Sequence, residues 1–135
     1  MTANKSDQRK VLSIEEVLRR INKGTDDFAS RPARSASDRG AFDDYPLHKV
    51  AIWGDIDAAA VLVAHGADIN AGGEDDDTPL HRAIAGNHSA MVTFLLAQGA
   101  DPERRNRYGH TPRDDAETSN EPAIIKAMSG GAAPR

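Results

Sequence analysis

The chain has 135 residues, enough for one domain, and its 28% charged and 39% hydrophobic content is ordinary for a soluble protein. It has no cysteine, which excludes disulfides, thiolate zinc sites and cysteine nucleophiles. Aromatic residues are only 4% of the chain and the net charge is −4, so the core must be built from Leu, Ile, Val and Ala. The charge is unevenly spread. Residues 1–39 carry nine Lys/Arg against six Asp/Glu, and residues 40–135 carry eight against fifteen. The acidic part is a poor match to a nucleic-acid backbone, which requires Lys/Arg to displace counterions. The basic N-terminal third reads as a solvated tail and helix face.

In chain order, residues 1–12 read as a disordered polar tail. No apolar run follows the charges of residues 1–10, so they are not a secretory signal. No stretch approaches the ~20 apolar residues of a membrane helix, and the expected location is the cytoplasm. A capping helix is predicted over 13–24. Ser13 is its N-cap, with Glu16 completing a capping box and Leu12 and Val17 at staple spacing. Ile14, Val17, Leu18 and Ile21 form one apolar face, and Gly24 is the stop. Residues 25–41 are rich in Ser, Pro, Gly and charge and read as a linker or long loop. Phe42 and Tyr45 are expected to pin its end.

From about residue 42 the chain repeats. A step of 33 residues carries Pro46 to Pro79 and Pro112, Leu47 to Leu80, His48 to His81, and Gly66-Ala67-Asp68 to Gly99-Ala100-Asp101. A period of this length is the signature of a solenoid. Each unit reads as two short helices. In the second unit Pro79 opens the first helix, Gly86-Asn87 breaks it, and Gly99 closes the second. The units run about 42–74, 75–107 and 108–130, and 131–135 is a second disordered tail.

Thr78-Pro79-Leu80-His81-Arg82-Ala83 matches the T-P-L-H-x-A signature, so the chain resembles the ankyrin repeat family. Gly99-Ala100-Asp101 looks like the family's turn after the second helix. The resemblance covers about 85 of the 135 residues. It implies an all-α fold: a short solenoid of paired antiparallel helices, with the N-terminal helix as an extra cap. Thr78, Pro79, Leu80, His81, His48, Gly66, Gly99, Thr111 and Pro112 are then structural motif residues. Tyr45 stands where the first unit should have Thr, so the hydroxyl link to His48 should be missing. In the third unit Arg113 and Asp114 replace Leu and His, as happens in terminal repeats facing water. A monomer capped by its own helix is favoured, with a homodimer as the alternative.

Catalytic, metal and cofactor chemistry finds no support. His48 and His81 could suggest a metal pair, but the resemblance makes them orienters of the turn. No H-x₃-H or H-E-x-x-H spacing occurs. The run Glu74-Asp75-Asp76-Asp77 lacks the spacing of an EF-hand. No G-x-S-x-G or P-loop is present. A small hydrolase using His81 with Asp101 is a remote reading, because a short solenoid offers little enclosed volume to shift a pKa.

The resemblance points instead to a non-catalytic module that binds a folded protein partner through loop tips and the inner helix face. The candidate contacts are Lys49, Ile52, Trp53, Arg82, the acidic tip Asp75, Asp76 and Asp77, and the basic tip Arg104, Arg105, Arg107 and Tyr108. Arg and Tyr are typical hot-spot residues. The opposed tips could also pair with each other, and Trp53 could pack on residues 13–45. The composition suits a freestanding bacterial protein with an inhibitor, immunity or adaptor role. Self-association through the N-terminal helix is the alternative.

Overall fold

The computed structural model describes residues 11–131. The tails expected at 1–12 and 131–135 lie outside these residues apart from Val11, Leu12 and Gly131. Among the described residues there are seven α-helices and no strand. They are α1 (Ile14–Gly24), α2 (Pro46–Trp53), α3 (Ile56–Ala64), α4 (Pro79–Ala85), α5 (Ser89–Ala97), α6 (Pro112–Ser119) and α7 (Pro122–Gly131). Short 3-10 turns occupy Asp26–Phe28 and Glu74–Asp76.

Local chemistry sets these boundaries. Ser13 Oγ accepts the Glu16 N–H at 3.1 Å, as a helix N-cap should. The Glu16 carboxylate turns instead to Arg19 and Arg20, so the expected box is not what it serves. Pro46, Pro79 and Pro112 each open a first helix, where the missing N–H has no partner to lose. The turns between paired helices place Gly54, Asn87 and Asn120 at φ 75°, 60° and 58°. These three occupy one position in the 33-residue step, and Gly and Asn tolerate the left-handed region best. Helix α3 ends in a Schellman motif: Ala67 N–H reaches Leu62 O and Gly66 N–H reaches Val63 O, both at 3.0 Å. The Ala100–Leu95 and Gly99–Leu96 bonds repeat it at the end of α5.

The first helices form one row, α2 on α4 and α4 on α6. Each second helix folds back on its own first helix, giving the two layers of a solenoid. The core follows the repeat. Leu47 and Leu80, then Val50, Ala83 and Ala116, then Leu62, Leu95 and Met128 are equivalent buried sets. Helix α1 lies against α2 and α3 and covers the end of the stack. Its Val17, Leu18 and Ile21 are buried, each contributing about 1.5–3 kcal/mol.

Residues 25–45 form no α-helix, yet they are tied down along their length. Asn22 brackets the Ala33 backbone, accepting its N–H at 2.7 Å and donating to its carbonyl at 3.0 Å. Phe28, Ala33 and Ala36 are buried. The expected anchor Phe42 is instead 57% exposed, and Phe28 takes that role at 0%. The physical reason is the backbone: the Phe42 N–H is held by Asp27 Oδ1 at 2.6 Å, which fixes the chain without burying the ring.

Candidate functional site

The motif histidines are fixed by the backbone of the following unit. His81 Nδ1 accepts the Thr78 N–H at 2.9 Å, so its proton sits on Nε2 and is donated to His110 O at 2.9 Å. Thr78 Oγ1 also contacts Nδ1 at 2.9 Å and accepts the His81 N–H. His48 repeats the pattern without the hydroxyl. Its Nδ1 accepts the Tyr45 N–H at 3.1 Å, and its Nε2–H is shared between Ala71 O and Asp77 O. The Tyr45 ring stacks on the imidazole with centroids 6.0 Å apart, and the Arg39 guanidinium lies 5.0 Å from the Tyr45 centroid. In the third unit Asp114 stands in for histidine, accepting the Thr111 N–H at 3.0 Å.

Lys49 and Arg82, expected to face a partner, are engaged inside the chain. Lys49 Nζ lies 2.9 Å from Asp27 Oδ2 and 3.0 Å from Asp44 Oδ2. The Asp27 oxygen is buried with Lys49 as its counter-charge, though not in hydrogen-bond alignment. Arg82 donates to both oxygens of Asp44, at 2.7 and 2.9 Å, and reaches Asp77 at 3.2 Å. The result is a line of alternating charges, Asp27, Lys49, Asp44, Arg82 and Asp77, crossing from the docked loop into the second unit. Burial alone would raise the Asp44 pKa, but the bonds from Arg82 and the Glu74 N–H outweigh it and hold it below the ordinary carboxylate value. Burial would lower Lys49, and its close pairing with the carboxylates of Asp27 and Asp44 reverses that, leaving its pKa raised. Sequence reasoning missed Asp27 and Asp44. The one available signal was the step itself, which makes Asp44 the equivalent of Asp77 and Lys49 the equivalent of Arg82.

The two loop tips meet. Arg104 lies 3.6 Å from Asp76, Arg107 lies 3.4 Å from Asp75, and the Tyr108 hydroxyl donates to Asp75 at 3.3 Å. The Arg107 N–H also donates to Asp75 O at 2.8 Å, and Asn106 holds Asp77 Oδ1 at 2.9 Å. Pairs this exposed are worth about 0–1 kcal/mol, so they orient the tips more than they occupy them. Arg105 caps Gly109 O at 2.7 Å, and Tyr108 remains 63% exposed.

Trp53 is 40% exposed and rests on α1. A Cβ at Gly24 would lie 3.0 Å from Trp53 Cη2. Gly24 therefore makes room for the indole, which is a different task from a left-handed helix stop. Next to Trp53, the Ile52 carbonyl accepts from His88 Nε2 at 2.9 Å, tying the first unit to the second. The exposed tips, Ile52 and Trp53 come from the loops and first helices of the solenoid.

A family model described as Ankyrin repeats (3 copies) matches residues 16–106. The chain belongs to the ankyrin repeat family. The match begins inside α1, earlier than the repeat span read from the 33-residue step, and stops before α6. The ankyrin motif's departures at Arg113 and Asp114 lie in that unmatched third unit. Ankyrin repeats generally act as protein–protein interaction modules. No curated protein matches the chain. Among the described residues, no helix is long and apolar enough to cross a membrane, and no group of three or more His, Asp or Glu is placed to hold a metal ion.

Proposed function

We propose that this chain is a non-catalytic ankyrin module that binds a folded protein partner through its loop tips and the exposed end of α2. The observation that carries this reading is the exposure of Trp53 and Tyr108 on the loop and first-helix side of the stack. Large aromatic side chains of this kind serve as anchors when a partner removes them from water. Ile52, Asp75, Asp76, Arg104, Arg105 and Arg107 surround them. Lys49, Arg82 and Asp77 act from behind, because their charges are spent on one another and on Asp44.

The motif histidines support a scaffold role over a catalytic one. Both ring nitrogens of His81 are committed to backbone partners, which leaves no free base for a hydrolase. An inhibitor, immunity or adaptor role in the bacterial cytoplasm suits a small interaction module. The test is capture from native lysate with full-length chain as bait. A stoichiometric partner should be recovered and should be lost with Trp53→Ala and Tyr108→Ala combined. Recovery of no such partner, or indifference to both substitutions, would overturn the reading.

A further inference from the structure

The 33-residue step orders the charges of the first helices. Lys49, Arg82 and Asp115 share one position, and Asp44, Asp77 and His110 share another just ahead of each helix. In the first two units the acid answers the cation, Asp44 to Lys49 at 3.0 Å and Asp77 to Arg82 at 3.2 Å. The cations also bridge backward, Lys49 to Asp27 at 2.9 Å and Arg82 to Asp44 at 2.7 Å. Each cation thus sits between two carboxylates. The third unit breaks the order. Its helix carries Asp115 where a cation would continue the line, and its ion-pair partner among the described residues is His110, 3.9 Å away and charged only when protonated.

Asp115 opens onto a groove of about 380 Å³ between α4 and α6, lined by Ile84, Ala85, Asp115, Thr118, Ser119 and Glu121. One wall is aliphatic and the other carries two carboxylates. Lys49, Arg82, Arg104, Arg107 and Arg113 each pair with other acids. Burial raises the Asp115 pKa above the ordinary carboxylate value, against the opposing pull of His81 and His110. A carboxylate whose own partner is charged only when protonated is what an incoming positive group would satisfy.

We propose that this groove receives a lysine or arginine side chain from a basic segment of the protein partner. Its charged head meets Asp115, the residue that breaks the line of cations begun by Lys49 and Arg82, and its aliphatic stem lies along Ile84 and Ala85. This rests on the interaction reading above and names the chemistry of the partner.

The test uses N-acetyl-arginine amide as the probe, titrated into isotopically labelled full-length chain and followed by amide chemical shifts. N-acetyl-citrulline amide, of the same shape without the charge, is the control. Saturable shifts are expected at Ile84, Ala85, Asp115, Thr118 and Ser119 with arginine and not with citrulline. Asp115→Asn and Asp115→Arg should each weaken binding at least about tenfold. Asp57→Asn, on exposed α3, should leave it unchanged. Shifts spread over all exposed acids, an equal response to citrulline, or binding that survives both Asp115 variants would overturn the proposal. The titration reads the groove whether or not a partner is captured. Partner capture undiminished by Asp115→Arg would overturn the groove's role and leave the broader interaction reading standing.

Discussion

Asp44 and Arg82 face each other across the boundary between the first two units, with both guanidinium ends seated on both carboxylate oxygens at 2.7 and 2.9 Å. Asp44 is fully buried, and Lys49 approaches it from the other side at 3.0 Å. One carboxylate therefore holds a cation from each unit. Removing its charge strands two cations in a half-buried site, and breaking a buried pair costs about 3–5 kcal/mol. Asp44→Asn should lower stability by roughly that amount in urea unfolding. Arg82→Lys should also be destabilising, because a point charge cannot make the bidentate contact.

The histidine locks make a separate prediction. His81 is buried, and its loss leaves the Thr78 N–H and the His110 carbonyl without their partner. Each stranded buried group costs about 1–3 kcal/mol, so His81→Ala should be among the most damaging single changes in the chain. Thr78→Ala removes the cap hydroxyl and one methyl group and should cost about 0.5–2 kcal/mol. Thermal unfolding of the two variants checks the order.

Acid should destabilise the fold in two windows. Burial lowers the His48 pKa, against the opposing pull of Asp44 and the Asp77 carbonyl. The unfolded chain then binds more protons than the folded one as pH drops below about 6.5. That contribution is complete above this pH and is lost as pH falls toward the folded value. Asp44, with its lowered pKa, contributes fully above about pH 3.9 and loses its contribution as pH falls through its folded value. Lys49 works in the opposite sense: its raised pKa gives stability that is full below about pH 10.4 and is lost as pH rises through the folded value. Unfolding free energy measured against pH should therefore decline below about 6.5 in the native chain, and this upper window should vanish in His48→Gln.

The N-terminal helix is expected to act within its own chain. Val17, Leu18 and Ile21 are already buried against the first unit. Ile21→Ala should cost about 2–5 kcal/mol, whereas Ile125→Ala at an exposed site should stay within about 0.5 kcal/mol. Trp53 reports on the same contact, since Gly24 supports its ring. Gly24→Ala should shift the emission of this single tryptophan to the red as the indole is lifted off α1. Light scattering should give a monomer for the full-length chain; a dimer that becomes a monomer when residues 1–40 are removed would show instead that the helix covers a second copy.

Much of this was legible because the repeat writes its own punctuation. Pro46, Pro79 and Pro112 open helices where the step placed them, and Gly66 and Gly99 close them. The left-handed positions Gly54, Asn87 and Asn120 follow the same step. The loop of residues 25–45 was not legible in this way. Phe28 and Phe42 look alike in sequence, and only the packing shows that the first is buried and the second exposed. The buried acids were harder still. Asp44 reaches Arg82 from 38 residues away, and a charge can be buried only where its partner waits, which local pattern does not reveal. Lys49 and Arg82 read as surface residues for the same reason, since the carboxylates that hold them lie in other segments of the chain.

The interaction reading is tested most directly by hydrogen exchange on the chain with its captured partner. The account predicts added protection over Ile52 to Gly54, the 75–77 tip and the 104–109 tip, with α3, α5 and α7 unchanged. Protection confined to the second-helix row, with the tips exchanging as in the free chain, would contradict it.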